Sequence, residues 1–347
     1  MIYIIQSNSN IIYENLAMEQ CLRIMVQESK GKVGVLFLWQ NENCVVIGRS
    51  QNMYTQVNID MAKQLGTLLA RRMTGGGAVY QDMGNLCFTM ILPKELYDLK
   101  KSDMVIEKAC KSLGLNVDKS GRNDFLLKGA KFSGSAYFCN ESVGMHHGTI
   151  MLDVDCNRME QLLQVDRNKL IGNGIESVRC RVCNLRNVIS YIQVKDVVNV
   201  LKQGFLDIYS KYLNCLENEA MGNNRREEQL CDVRTCYVPD KRLYQNMLKH
   251  FYDYNWIIGE MPNYTIKGKK KFQWGMVTIF ICLSRGIKKV TIESDSLFPE
   301  FMEYVQRCLN NGIKFREMKK AVSIPYLKML DDLEILYESI SNSTAPR

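Results

Sequence analysis

Apolar positions recur at helical spacing over residues 13–29, where Leu16, Ala17, Cys21, Ile24 and Met25 form one stripe. Two β-rich runs follow at 33–40 and 44–48, joined by a polar Asn-Glu-Asn turn. Residues 58–66 read as a short helix that ends on Gly66, a residue suited to a C-cap. The glycines at 75–77 then precede a strand at 85–92. A helix near 102–114 leads to Gly121 and to strands around 125–128, 131–138 and 146–154. A long amphipathic helix at 194–213 could close a first domain, and the polar stretch 217–235 reads as a connector. Beyond it lie a helix near 241–253, a hairpin built from 272–286 and 288–295, and a helix at 326–340. That is enough for a small second α+β domain.

The length of 347 residues agrees with two domains. With 46% hydrophobic and 24% charged residues, the chain reads as soluble and globular. No apolar run reaches the eighteen residues of a membrane span, so no membrane association is expected. The opening MIYIIQSNSN has neither a basic region nor a cleavage site and reads as a first strand rather than a signal peptide. Thirteen cysteines, an odd number spread singly from Cys21 to Cys308, suit buried thiols in a reducing cytoplasm. Cys180 and Cys183 form the single C-x-x-C, in an alternating segment that reads as a structural strand. The net charge of +8 is modest and its basic residues are not interleaved with aromatics, so an acidic protein or phosphorylated substrate is expected rather than nucleic acid. The densest basic cluster, Lys267 to Lys271, reads as a solvated loop.

Three segments carry chemistry. In ARRMTGGGAVYQDMGN (70–85), consecutive glycines let backbone amides approach anionic oxygens, and Arg71 and Arg72 add fork-shaped donors. The spacing is neither a P-loop nor a dinucleotide fingerprint. In GRNDFLLKGAKFSGSAYF (121–138), Lys131 stands beside Ser133, Gly134, Ser135 and Ala136, small residues that leave room for a ligand. Asn123 and Asp124 offer hard oxygens of the kind magnesium takes, and an Asn-Asp turn explains them equally. In GMHHGTIMLDVD (144–155), His146 and His147 are adjacent on a strand and so face opposite sides. One is expected toward a ligand, the other in packing, with no shared metal site. No G-x-S-x-G, H-E-x-x-H or zinc-spaced cysteine set is present. These pieces favour chemistry in which the substrate supplies the nucleophile, such as a carboxylate attacking the α-phosphate of ATP.

Together with 37–52, 145–155, 176–185 and FQWG (272–275), these segments resemble the lipoate–protein ligase family, in the family's order. The resemblance implies an α+β, biotin/lipoate ligase-like catalytic domain, related to class II aminoacyl-tRNA synthetases, over 1–258, and a small α+β C-terminal domain over 259–347. It implies that lipoate and magnesium-ATP give lipoyl-AMP, and that an acceptor lysine then takes the lipoyl group. Lys131 matches the essential lysine, while Arg72 with Gly75, Gly76, Gly77, Ala78, Val79 and Tyr80 matches the ATP- and adenylate-binding loop. Asn85, Asn123 and Asp124 fall in the phosphate and magnesium neighbourhood, without a protein-only metal site. Leu16, Ala17, Val46 and His147 fall in the lipoate pocket, and core packing explains the apolar three as well. The implied acceptors are lipoyl domains of 2-oxoacid dehydrogenases and the glycine cleavage H protein.

Two positions depart from the family. Gln81 stands where histidine is usual, and Phe138 where arginine is usual. Two rival readings follow: an octanoyl or lipoyl transferase working through a thioester on Cys180 or Cys183, and a non-catalytic lipoyl-AMP-binding protein.

Overall fold

A computed structural model describes residues 1–121, 123–164, 182–220, 233–259, 264–284 and 287–341. Cys180 lies outside the described residues, as do most of 176–185 and of the connector. The chain begins β1 (Ile2–Gln6), α1 (Ile12–Glu28), β2 (Gly34–Trp39) and β3 (Cys44–Ile47). Next come α2 (Met53–Gln56), α3 (Ile59–Gln64), β4 (Leu68–Arg71), β5 (Val79–Gln81) and β6 (Asn85–Pro93). Helix α4 (Leu99–Ser112) precedes β7 (Asp118–Ser120), β8 (Asp124–Leu127), β9 (Ala130–Cys139) and β10 (Val143–Met151). Then follow α5 (Cys156–Leu162), α6 (Val194–Ala220), β11 (Val233–Arg234), α7 (Lys241–Tyr252) and α8 (Tyr254–Ile258).

An eight-stranded sheet in the order β11-β1-β2-β6-β10-β9-β8-β7 organises this part. Strand β2 is buried throughout and alternates between two apolar clusters. Val35, Phe37 and Trp39 face α1 and the small sheet β4-β3-β5, whereas Leu36 and Leu38 face α4 and α6. A strand buried on both faces reads as the continuous apolar run seen at 33–40. The Asn-Glu-Asn turn does not pair its two strands: it carries the chain from the large sheet into the small one, where β3 lies parallel to β4 and antiparallel to β5. Helix α6 runs on past the expected end at 213 to Ala220, into the stretch read as connector.

The tail forms an antiparallel sheet of β12 (Ile266–Phe272), β13 (Gly275–Ser284) and β14 (Ile287–Ser294). Helices α9 (Pro299–Asn310), α10 (Phe315–Ala321) and α11 (Ile324–Ser341) pack on it around a separate apolar cluster. The lysine run is therefore strand rather than loop. Gly268, which has no side chain, lies under Ile340, and the flanking lysines are exposed on an edge strand. Pairing with β13 decided the local structure there, against the charge of the run.

The two units touch through specific bonds. Arg49 reaches Glu300 at 3.2 Å and Glu303 at 2.6 Å, and Asn52 Nδ2 donates to Glu293 Oε1 at 2.7 Å. The Ser294 amide donates to Ser50 O at 2.9 Å, and the Gly76 amide to Ser296 O at 3.1 Å. No helix among the described residues is long and apolar enough to cross a membrane. The described cysteines are free thiols.

Phe205 on α6 is fully buried in the cluster beneath the large sheet. Phe205→Ala is expected to cost about 3–5 kcal/mol of stability, read from denaturant unfolding of the whole chain.

Candidate active site

The cavity floor is made by residues that pair directly across four strands. Trp39 pairs with Cys87, Cys87 with Thr149, and Thr149 with Gly134. The next row joins Thr89, His147 and Ala136. Directly opposed residues share a face, so the rows form one continuous surface. Three inter-strand spacings make that surface about 14 Å long. Over it stand Leu16 from α1, Val46 from β3, and Gly77, Ala78, Val79 and Gln81. Asn123, Lys131 and Ser135 complete a cavity of about 600 Å³ of non-protein space, part of it open to solvent.

Lys131 is one-third exposed, and its Nζ lies 2.7 Å from Asp124 Oδ1. A Cβ on Gly134 would sit 2.8 Å from that Nζ, so glycine makes room for the ammonium. Asn123 Nδ2 donates to Ser135 O at 3.1 Å, which ties the two sides of the Lys131 hairpin together. The opposite end of the cavity, at Trp39 and Cys87, is apolar. A molecule with an anionic head and an oily tail about 10–14 Å long fits this polarity.

The arginine pair separates by strand alternation. Arg72 lines the cavity, whereas Arg71 points away. There it donates to the carbonyls of Gly48, Arg49, Gln51, Trp256 and Ile258, clamping the 48–51 loop to α8. Arg71 is thus a structural clamp rather than half of an anion cradle. Arg72 donates through Nη2 to Gly75 O at 2.7 Å and Gly77 O at 2.8 Å, and through Nη1 to Val46 O at 3.3 Å. It holds the glycine loop in shape from below. Burial pushes the pKa of each guanidinium down to about 10, and both remain charged at neutral pH.

The glycines divide their work as well. A Cβ on Gly75 would lie 2.0 Å from Ser296 O, and Gly76 takes φ +93° with its amide bonded to the same carbonyl. Both therefore seat the loop against the C-terminal unit instead of lining the cavity, and it is Gly77, Ala78 and Val79 that face inward. Tyr80, between inward-facing Val79 and Gln81, turns to the other side of β5 and into the core. Ala17, Asn85 and Asp124 also lie just outside the cavity wall. Asn85 stands on β6 with its Nδ2 3.7 Å from Cys87 Sγ, and Asp124 is in contact with Lys131.

Beneath the cavity runs a buried polar chain that sequence reading did not find. Trp39 Nε1 donates to Thr89 Oγ1 at 3.2 Å, and Thr89 donates to Glu19 Oε1 at 2.7 Å. His147 Nδ1 lies 2.8 Å from the same carboxylate oxygen, which can only accept while ionised, so Nδ1 carries the proton. His147 Nε2 lies 2.8 Å from Thr74 Oγ1, which accepts from Arg72 Nε at 3.2 Å. Burial alone would raise the Glu19 pKa. The charge and hydrogen bond of His147, with Thr89 and Arg72, outweigh it and hold the carboxyl below its ordinary 4.5. A detectable signal existed: Glu19 lies three residues after Leu16, on the same helical stripe. His146 faces the other side, fully buried between Phe88 and Tyr137, and burial drives its pKa well below 6.5. The two histidines face opposite sides of the strand, as alternation predicts, with His147 lining the cavity. Phe138 lies under the Arg23 guanidinium, 5.0 Å from its ring centroid, outside the cavity wall.

Among the described residues no group of three or more His, Cys, Asp or Glu is placed to hold a metal. Cys183 does not line the cavity. Its thiol lies 3.5 Å from Ala130 O, and burial raises its pKa.

The first α+β unit carries a glycine loop over a cavity on its sheet, and a small second α+β unit follows it. Residues 11–206 match the lipoyl protein ligase A/B catalytic domain, and residues 261–324 match the bacterial lipoate protein ligase C-terminus. The chain belongs to the lipoyl protein ligase A/B family. In fold it is similar to P. falciparum LipL1, solved in complex with lipoate, at 24% identity and a TM-score of 0.76, covering 96% of this chain and 98% of that one. A lipoate–protein ligase A solved with ATP matches at 19% identity and TM-score 0.58, over 75% of this chain and 98% of that one. A bipartite lipoate protein ligase from Thermoplasma acidophilum, studied with its E2 lipoyl domain, matches at 20% identity and TM-score 0.58, over 76% and 98%.

The buried chain generates a pH-dependent expectation. A depressed carboxyl pKa contributes stability that is present above the ordinary value and lost as pH falls through the folded one. The stability gap between wild type and Glu19→Gln should therefore be constant above about pH 5 and close on acidification below the ordinary 4.5. Thermal melts across pH measure it. Glu19→Ala, which strands His147, is expected to cost about 3–5 kcal/mol at pH 7.

Proposed function

We propose that the protein activates lipoate with ATP and transfers the lipoyl group to a lysine of an acceptor protein. The observation that carries this reading is the cavity's polarity: Lys131 stands at the Gly134 end of the paired row, and Trp39 and Cys87 at the other. In the first half-reaction a carboxylate oxygen of lipoate attacks the α-phosphorus of ATP, and the bond to pyrophosphate breaks. In the second, the acceptor amine attacks the lipoyl carbonyl, an amide forms, and AMP departs with the anhydride oxygen.

This chain's residues act by placement and charge. Lys131 holds its ammonium where the acid's carboxyl and the α-phosphate must meet, offsetting negative charge as it builds. To do so it exchanges its ion pair with Asp124 for the substrate. The inward backbone of Gly77, Ala78 and Val79 borders the phosphates, on a loop whose shape Arg72 maintains. Magnesium supplies charge neutralisation to the nucleotide's phosphates. Asp124 places a carboxylate oxygen beside Lys131 and Asn123 lines the cavity, residues whose hard oxygens would suit an ion arriving with the nucleotide. Leu16, Val46 and Trp39 exclude water from the dithiolane tail.

The relatives support each component separately, since one was solved with lipoate, another with ATP, and a third was analysed alongside its E2 lipoyl domain. Lipoyl domains and the glycine cleavage H protein are the proposed acceptors, and the cytoplasm the proposed compartment. The match of 261–324 to a ligase C-terminus supports a ligase over a transferase. So does Cys183, whose raised pKa and place outside the cavity make it a poor thioester nucleophile.

Incubation of purified protein with ATP, magnesium, lipoate and a panel of apo acceptors should add one lipoyl mass to at least one of them, read by intact mass spectrometry. Lys131→Ala should lower the rate by about 10²–10³-fold without changing the melting temperature by more than a few degrees. A variant as fast as wild type would remove Lys131 from the reaction.

A further inference from the structure

The paired row that floors the cavity continues by one strand. Gly134 on β9 stands directly opposite Asp124 on β8, so Asp124 shares the face of Trp39, Cys87 and Thr149. It closes the row about 5 Å beyond Gly134. Lys131 reaches the same face by another route. It lies three residues before Gly134, and an odd separation along a regular strand would turn it to the opposite side. A register shift between Phe125 and Leu126 takes up one extra residue of β9. Lys131 therefore lines the cavity, while Phe132 falls in the apolar cluster below the sheet. A bulge thus aims an ammonium at a carboxylate across a residue that has no side chain.

The resulting contact is an ion pair. Lys131 Nζ lies 2.7 Å from Asp124 Oδ1, with the side chains 34% and 35% exposed. A Cβ at Gly134 would meet the ammonium at 2.8 Å and the carboxylate oxygen at 3.9 Å, so both charges lie over the glycine. Asp124 Oδ1 is enclosed and has no hydrogen-bond partner among the described residues, so charge holds it in place. The backbone on either side is fixed. The Ser135 amide donates to Asn123 O at 2.8 Å, Asn123 Nδ2 donates to Ser135 O at 3.1 Å, and the Cys183 amide donates to Lys131 O at 2.9 Å. The two charges can part by side-chain rotation, with the strands left in register.

The polar end of the cavity therefore presents a compensated charge. An entering carboxylate meets an ammonium already engaged, and if it displaces Asp124 it leaves two carboxylates beside one ammonium, which like-charge repulsion opposes. A divalent cation reverses the balance. It takes hard carboxylate oxygens, and by drawing Asp124 to itself it releases Lys131 to the acid.

We infer that Asp124 is a masking counter-ion, which withholds Lys131 from carboxylates until a divalent cation carried by a nucleotide engages it. Acid and metal-bound nucleotide then bind cooperatively, each strengthening the other by the same factor. The inference rests on the activation chemistry proposed above, and the test separates the two.

Lipoate, and lipoamide as its uncharged counterpart, are titrated by calorimetry into the whole chain and into Asp124→Asn. Each is measured alone and then with magnesium and α,β-methylene ATP, a nucleotide that cannot yield an adenylate. Wild type should bind lipoate about fivefold tighter, or more, when magnesium and the analogue are present. Asp124→Asn keeps the shape and drops the charge. It should bind lipoate alone about fivefold tighter than wild type, and magnesium with the analogue should then add less than about twofold. Lipoamide brings no charge to Lys131, so its affinity should be the same in both proteins. Asp124→Ser carries the same comparisons if the Asn variant does not fold. A folded variant that binds lipoate no tighter than wild type overturns the inference and leaves lipoate activation standing. So does a wild type whose lipoate affinity ignores the metal-bound analogue, or a variant that tightens on lipoamide as much as on lipoate. Wild type that binds neither lipoate nor lipoamide removes lipoate activation and the inference with it.

Discussion

The constraint on which the site depends is a buried carboxylate. Glu19 is 1% exposed, and an ionised acid in such a place is tolerable only if donors reach it. Thr89 and His147 supply them from β6 and β10, so α1 cannot slide over the sheet without stranding the charge. His147 passes the constraint through Thr74 to Arg72, whose guanidinium grips the carbonyls of the glycine loop. One buried negative charge thus registers a helix, two strands and a loop against each other. The cavity is the space left between them.

Its polarity follows from the same registration. The paired rows across β2, β6, β10 and β9 run from Trp39 to Gly134, and only at the Gly134 end is there room for the Lys131 ammonium. The glycine loop meets the cavity with Gly77 and the C-terminal unit with Gly75 and Gly76. A displacement of that unit would therefore move the loop bordering the cavity. The ion pairs of Arg49 with Glu300 and Glu303 are partly exposed and contribute little energy, but they fix which way the units face.

Much of this was legible in the chain. The apolar stripe of α1, the small residues around Lys131 and the opposite facing of His146 and His147 all follow from spacing alone. Most cavity residues expected from the resemblance, among them Arg72, Val79, Lys131 and His147, do converge. What was not legible depended on partners distant in sequence. Arg71 and Arg72 look alike in a string, and only strand alternation with the approach of α8 shows that one of them is a clamp. Gly75 and Gly76 look like ligand glycines until Ser296 is brought against them from the second unit. The lysines of β12 read as a loop because a charge run hides its strand when the neighbour, β13, supplies the apolar pairing. Glu19 was passed over for the opposite reason, as an acid on an otherwise apolar stripe whose partners lie 70 and 128 residues away.

The central claim, that this cavity joins a lipoate carboxylate to an adenylyl group, is tested most directly by isotope exchange between pyrophosphate and ATP. The account predicts exchange that appears only when lipoate is present and needs no acceptor protein. Absence of exchange with lipoate, while the protein still moves a lipoyl or octanoyl group from one carrier protein to another, would contradict it.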